Sequence, residues 1–142
     1  MKHPFISHNK VRMHDTDMAG ILYFPRIYRF AHDALEDFLE AEGYNFDYIF
    51  KKNNFVFVIA HSEANYIVPL HVGDQLEIQL SVESIGTSSF TFHYNIYRIT
   101  PENKELAGNA KTVHVTLDTD RKKIPIPDKF KIHLKKYFLD EI

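Results

Sequence analysis

Two carboxylates one residue apart, Asp15 and Asp17, head a segment that runs through Gly20 and the aromatic pair Tyr23-Phe24 to Pro25 and a long amphipathic stretch. A carboxylate can act as a general base on water or as a nucleophile. A helix start supplies partial positive charge and unpaired amide donors, which stabilise an oxygen anion formed nearby. Aspartates before a helix also have a structural use, because they cap free amides and shape turns. Spacing alone leaves both readings open. A second polar group lies further on, at His61, Ser62, Glu63 and Asn65. In an extended chain His61, Glu63 and Asn65 share one face and continue the row begun by Phe55, Phe57 and Ile59. A face that turns from apolar to polar has left the core, for either a hydrogen-bonded interface or a substrate cleft.

Other chemistries lose their residues. With no cysteine there are no disulfides, thiolate nucleophiles or cysteine-ligated zinc. Among nine histidines, His61 with Glu63 is the one tight pair of same-face ligands on a strand; two ligands do not make a site, so no metal is expected. Asp118-Thr119-Asp120 begins like a calcium loop, but Arg121-Lys122-Lys123 comes next, where oxygen ligands are needed, so it reads as a turn. There is no Gly-x-Ser-x-Gly elbow, phosphate-binding glycine loop or dinucleotide fingerprint. A net charge of -2 gives no electrostatic case for nucleic acid. No apolar run reaches the roughly 18 residues of a membrane span, and Met1 to Lys10 lacks a signal-peptide core, so a soluble cytoplasmic protein is expected.

Periodicity gives the elements that must position these residues. Val11 and Met13 alternate with Lys10 and Arg12, which predicts a short strand from Ser7 to Met13. His14 to Gly20 is a loop, and Pro25 suits a first helical turn. Ile27, Phe30, Ala31, Ala34, Leu35, Phe38 and Leu39 recur at helical spacing until Gly43. Asn45 to Asn54 reads as loop or short helix. Phe55 to Val68 predicts a long, largely covered strand ended by Pro69. Leu76 to Val82, Phe90 to Ile96 and Leu106 to Leu117 alternate as further strands, with turns at Gly86-Thr87-Ser88 and Pro101 to Lys104. Ile124 to Pro127 is extended, and Asp128 to Leu139 predicts a terminal helix. One helix stripe beside four strands in meander gives a two-layer α+β domain. Its uncovered sheet face is expected to be covered by a second subunit.

The run from Asp15 to Pro25 resembles the motif that opens the 4-hydroxybenzoyl-CoA thioesterase family of hotdog proteins. The resemblance extends through the long helix, Tyr66-Ile67-Val68-Pro69, Val72 to Leu76, Ile85 to Phe90 and Ile124 to Pro127. It implies a single hotdog domain over residues 1–142, with a long central helix wrapped by an antiparallel sheet of about five strands. It also implies hydrolysis of an acyl-CoA or aryl-CoA thioester at a dimer-interface site, in a homodimer or homotetramer, with coenzyme A as part of the substrate and no separate cofactor. Asp17 matches the family's catalytic carboxylate, as general base or nucleophile. Amides near Tyr23 and Phe24 are expected to polarise the thioester carbonyl, while Asp15 holds the loop. Tyr23-Phe24 and His61-Ser62-Glu63 look most like thioesterases acting on 1,4-dihydroxy-2-naphthoyl-CoA and are the expected substrate contacts. Thr87 and Ser88 replace the basic residues usual in that turn, which leaves Arg121, Lys122 and Lys123 for the CoA phosphates. A thioesterase acting on acyl carrier protein and a non-catalytic acyl-CoA-binding module are the alternatives.

Overall fold

A computed structural model describes residues 2–44 and 55–139; the segment from Asn45 to Asn54 lies outside the described residues. Five strands, β1 (Phe5–Lys10), β2 (Phe55–Tyr66), β3 (Gln75–Ile85), β4 (Ser89–Ile99) and β5 (Lys104–Asp118), form one antiparallel sheet in the order β1-β3-β4-β5-β2. The helix α1 (Ile27–Ala41) lies across it, and a shorter helix, α2 (Asp128–Lys136), comes after the last strand. This is the hotdog arrangement. No helix among the described residues is long and apolar enough to cross a membrane.

Residues repeating every three or four positions put one stripe of α1 against the sheet, and all seven, from Ile27 to Leu39, are buried. The opposing layer is the inward row of β3 (Leu76, Ile78, Leu80, Val82) and of β4 (Phe90, Phe92, Tyr94, Ile96). Each large side chain so buried contributes about 1.5–3 kcal/mol. Phe130 of α2 closes the end of this core, stacking on Phe57 at 5.6 Å. Glu42, just past α1, ties the two helices by accepting from Lys136 at 2.8 Å and pairing with His133 at 2.6 Å.

The structure corrects the expected elements in three places. The first strand ends at Lys10; Val11 is buried and exchanges backbone bonds with Gly73 and Asp74, while Met13 opens a 3-10 turn (Met13–Asp15) and is 82% exposed. The strands are not a simple meander, because β2 crosses to the far side of β5. It is therefore an edge, exposed from Val58 to Glu63, rather than a covered strand. Finally, β2 carries a bulge: pairing passes from Ile59↔His114 to His61↔Val113, leaving Ala60 unpaired. An extra residue in a two-residue period moves every later side chain to the opposite face. Phe57 and Ile59 stand opposite the inward Thr116 and His114, whereas His61, Glu63 and Asn65 stand opposite Val113, Lys111 and Asn109 on the outer face. They do not continue the Phe55 row.

Candidate active site

The loop before α1 is held by a buried ion pair. Asp15 is fully buried, and its carboxylate accepts from Arg29 Nε at 2.7 Å, from the second guanidinium nitrogen at 2.5 Å and from the Arg12 N–H at 2.8 Å. Burial pushes this carboxyl up, but the Arg29 and Arg12 hydrogen bonds outweigh it and hold the group below its ordinary value. Arg29 also reaches Asp33 at 2.8 Å and the Lys10 carbonyl at 3.0 Å, which joins loop, helix and β1. Asp15 thus anchors the loop.

Asp17 differs in every respect. It is exposed, and its Oδ1 accepts from the Ala19 N–H at 2.9 Å and the Ile21 N–H at 3.3 Å. Its own N–H bonds the Ile21 carbonyl at 2.9 Å, and Gly20 turns the chain with φ +76°. The turn-forming role is therefore real, yet it occupies only one carboxylate oxygen. Oδ2 has no partner among the described residues, so the carboxylate keeps a free acceptor in the loop that leads to the helix start.

Tyr23 and Phe24 lead into the 3-10 turn Phe24–Arg26 that precedes α1. The Tyr23 N–H is committed to the Asp15 carbonyl at 2.8 Å, and the Tyr23 carbonyl accepts from Arg26 at 2.8 Å. The Phe24 N–H meets no acceptor among the described residues. Of the two expected amides, only Phe24's is left to bind an oxygen anion. Sequence reasoning missed Tyr66, whose hydroxyl donates to the Phe24 carbonyl at 2.5 Å; the signal was its place at the end of a strand before Pro69.

No hydrogen bond or ion pair among the described residues joins His61, Ser62 or Glu63 to Asp17. They lie roughly three to five residues, about 10–17 Å along β2, from the Tyr66 that touches Phe24. His61 and Glu63 contact each other at 3.3 Å on the outer face; Ser62 faces inward, opposite Thr112.

Around Asp17 the surface is apolar. Met18, Ile21, Tyr23 and Phe24 on one segment and Ile67 and Val72 on its neighbour are all exposed, with Phe24 at 63%. The two segments are laced by Leu22 N–H to the Leu70 carbonyl at 2.8 Å and Val72 N–H to the Gly20 carbonyl at 3.1 Å. A contiguous apolar rim marks a surface meant to be covered. At the other end of α1, a cavity of about 590 Å3 is walled by Leu35, Leu39, Val56, Phe57, Val58 and Leu117, with His32 and Arg121 also lining it. No cluster of three or more His, Asp or Glu side chains among the described residues is placed to hold a metal ion.

Residues 11–134 match the thioesterase-like superfamily. A 1,4-dihydroxy-2-naphthoyl-CoA hydrolase of Thermosynechococcus vestitus is 32% identical, with 88% of this chain and 84% of the relative covered. The hydrolase of the same name from Microcystis aeruginosa is 34% identical over 82% of this chain and 83% of its own. The crystal structure of a 1,4-dihydroxy-2-naphthoyl-CoA thioesterase from Synechocystis superposes with a TM-score of 0.83 at 28% identity, covering 92% and 95% of the two chains. A 4-hydroxybenzoyl-CoA thioesterase variant complexed with 4-hydroxybenzoyl-CoA shares the fold, with a TM-score of 0.84 at 18% identity over 93% of this chain and 99% of that one.

Proposed function

This chain belongs to the thioesterase-like superfamily, and we propose that it hydrolyses an aryl-CoA thioester, with 1,4-dihydroxy-2-naphthoyl-CoA as the leading substrate. The observation that carries the reading is that Asp17, held by its Oδ1, keeps Oδ2 free in the same segment that leaves the Phe24 N–H uncommitted at the helix start. Asp17 acts on water as general base or on the thioester carbon as nucleophile. The carbonyl oxygen gains negative charge against the Phe24 N–H and the positive end of α1, and the CoA thiolate leaves; on the nucleophile route water then cleaves the acyl-Asp17 anhydride, releasing the acid and restoring the carboxylate. The substrate class rests on the similarity to the two naphthoyl-CoA hydrolases.

One copy leaves Asp17 in open solvent, which favours a site completed by a second. Strand β2 runs from the cavity, at Val56 to Val58, to the Asp17 loop, at Tyr66. If two β2 edges pair antiparallel about a two-fold, the Asp17 end of each copy lies beside the cavity end of the other. The aryl group then enters the cavity of one subunit while the partner's Asp17 loop meets the thioester. Arg121, at the cavity rim, and its neighbours Lys122 and Lys123 form an exposed basic turn suited to the CoA phosphates.

The test is free-thiol release from aromatic and aliphatic CoA thioesters, with wild type beside Asp17→Asn. Asparagine can keep the Oδ1 contacts, so the variant should fold and associate normally while turnover falls at least about 100-fold. Undiminished hydrolysis by the variant rejects Asp17 as the reacting group; tight binding without release by wild type supports a non-catalytic acyl-CoA module instead.

A further inference from the structure

Resting on the thioesterase reading, we propose that Asp74 is a positioning residue for Asp17, to which it is joined by two parallel chains of peptide hydrogen bonds. One chain begins at its carboxylate. Asp74 Oδ2 accepts the His71 N–H at 2.8 Å, and that N–H shares a peptide with the Leu70 carbonyl, which accepts the Leu22 N–H at 2.8 Å. The Leu22 N–H shares a peptide with the Ile21 carbonyl, which accepts the Asp17 N–H at 2.9 Å. The second chain has the opposite polarity and begins at the Asp74 N–H, which donates to the His71 carbonyl at 3.0 Å. The Val72 N–H of the same peptide donates to the Gly20 carbonyl at 3.1 Å. The Gly20 carbonyl in turn shares a peptide with the Ile21 N–H, which donates to Asp17 Oδ1 at 3.3 Å.

In a planar trans peptide the N–H and C=O point opposite ways, so each peptide passes its restraint on in line. Hydrogen bonds linked end to end also polarise and strengthen one another. Asp74 holds both backbone polar groups of His71, which leaves those of Leu70 and Val72 turned to the Asp17 loop. Asp74 is itself fixed. Its carbonyl accepts the Val11 N–H at 2.9 Å, the Gly73 N–H beside it donates to the Val11 carbonyl at 2.8 Å, and Val11 is fully buried. Arg98 Nη1 faces its carboxylate at 3.9 Å, and β3 begins at the next residue. The two chains are thus set in the sheet at one end, and at the other they hold the backbone and Oδ1 of Asp17 while Oδ2 stays free.

A reacting group misplaced by about 1 Å costs up to about 100-fold in rate, while ground-state binding of the substrate makes no use of that aim. The experiment compares wild type, Asp74→Ala and Asp74→Asn in steady-state hydrolysis of an aryl-CoA. Binding of a phenacyl-CoA thioether probes the ground state, thermal melts confirm folding at the assay temperature, and amide hydrogen exchange follows the loop. Asp74→Ala should lose about 10- to 100-fold in kcat, with KM and thioether affinity unchanged. Its Asp17 and Leu22 amides should exchange faster, while the Tyr94 amide in the middle of β4 stays protected. In Asp74→Asn the amide oxygen can accept the same His71 N–H, so most of both losses should be recovered; no recovery in a folded Asp74→Asn overturns the proposal. Unchanged kcat in Asp74→Ala, with wild type active, overturns it as well, and so does a raised KM with kcat intact, which makes Asp74 a matter of substrate binding. In wild type the His71, Leu22 and Asp17 amides should open as one unit with similar protection; widely different protection overturns the two chains even if Asp74→Ala does not fold. Absence of turnover in wild type overturns the thioesterase reading and, with it, the part of Asp74 in the reaction.

Discussion

At the scale of single residues, the core holds one group whose chemistry is at odds with its place. His114 is 1% exposed, stacked on Phe90 at 5.3 Å and met edge-on by Phe57 and Phe92. Its Nε2 pairs with Thr112 Oγ1 at 2.8 Å, which pairs in turn with the Tyr94 hydroxyl at 2.8 Å, and Nδ1 is buried without a partner among the described residues. Burial, with a smaller contribution from the charge of His32, pushes its pKa down to about 4. The unfolded chain takes up this proton below about 6.5 and the folded chain only below about 4. Stability is therefore lost as pH falls through that window, by about 3 kcal/mol in all. His114→Phe keeps an aromatic ring there without the titration. Its urea unfolding free energy should fall less between pH 6.5 and 4 than that of wild type; parallel curves would show that His114 does not drive the loss. The pair Asp15–Arg29 is the converse case. Removing one member of a buried ion pair typically costs about 3–5 kcal/mol, so Asp15→Ala should lower the melting temperature by over about 5 °C and, by releasing Arg29 and the Arg12 N–H from the loop that carries Asp17, slow turnover as well.

At the scale of elements, β3, β4 and β5 were legible because strict alternation and short turns leave one arrangement open, and α1 was legible from a stripe that is buried in full. β2 was not. An apolar run reads the same in a central strand and in an edge that awaits a partner, and Ala60 gives no local sign of a bulge. That one residue turned His61 and Glu63 away from the expected row. In the site, the paired aspartates and the helix start were visible in sequence, but the division of labour between Tyr23 and Phe24 depends on which amide finds an acceptor. The tight crossing at Gly108 is equally silent in sequence, although it sets where β2 meets α1. Gly108→Ala must displace the Asn65 backbone or the Ile27 side chain, an overpacking that costs about 1–3 kcal/mol. A melting temperature lowered by about 4–10 °C is expected; an unchanged value would mean that the crossing gives way without strain.

At the scale of the whole molecule, the chain carries a candidate catalytic carboxylate with no cover, an apolar rim around it, a cavity at the opposite end of the same helix and a long unpaired edge strand that connects the two ends. Stable monomers rarely leave such an edge bare, since it invites pairing with another chain. The proposed antiparallel pairing of two β2 edges about a two-fold would answer all four features: it would cover the rim, pair the strand and set each Asp17 beside the other subunit's cavity. Ile59, 51% exposed, and Ala60, exposed and unpaired at the bulge, lie near the middle of β2 and outside the cavity lining, and are where charge should break that pairing without filling the cavity. The double variant Ile59→Lys, Ala60→Lys should sediment as a monomer, retain the wild-type circular dichroism and lose at least about 100-fold in kcat/KM although Asp17, Phe24 and the cavity wall are untouched. A monomer that hydrolyses aryl-CoA at the wild-type rate would place the complete site within one chain. It would leave the edge strand as a matter of stability alone.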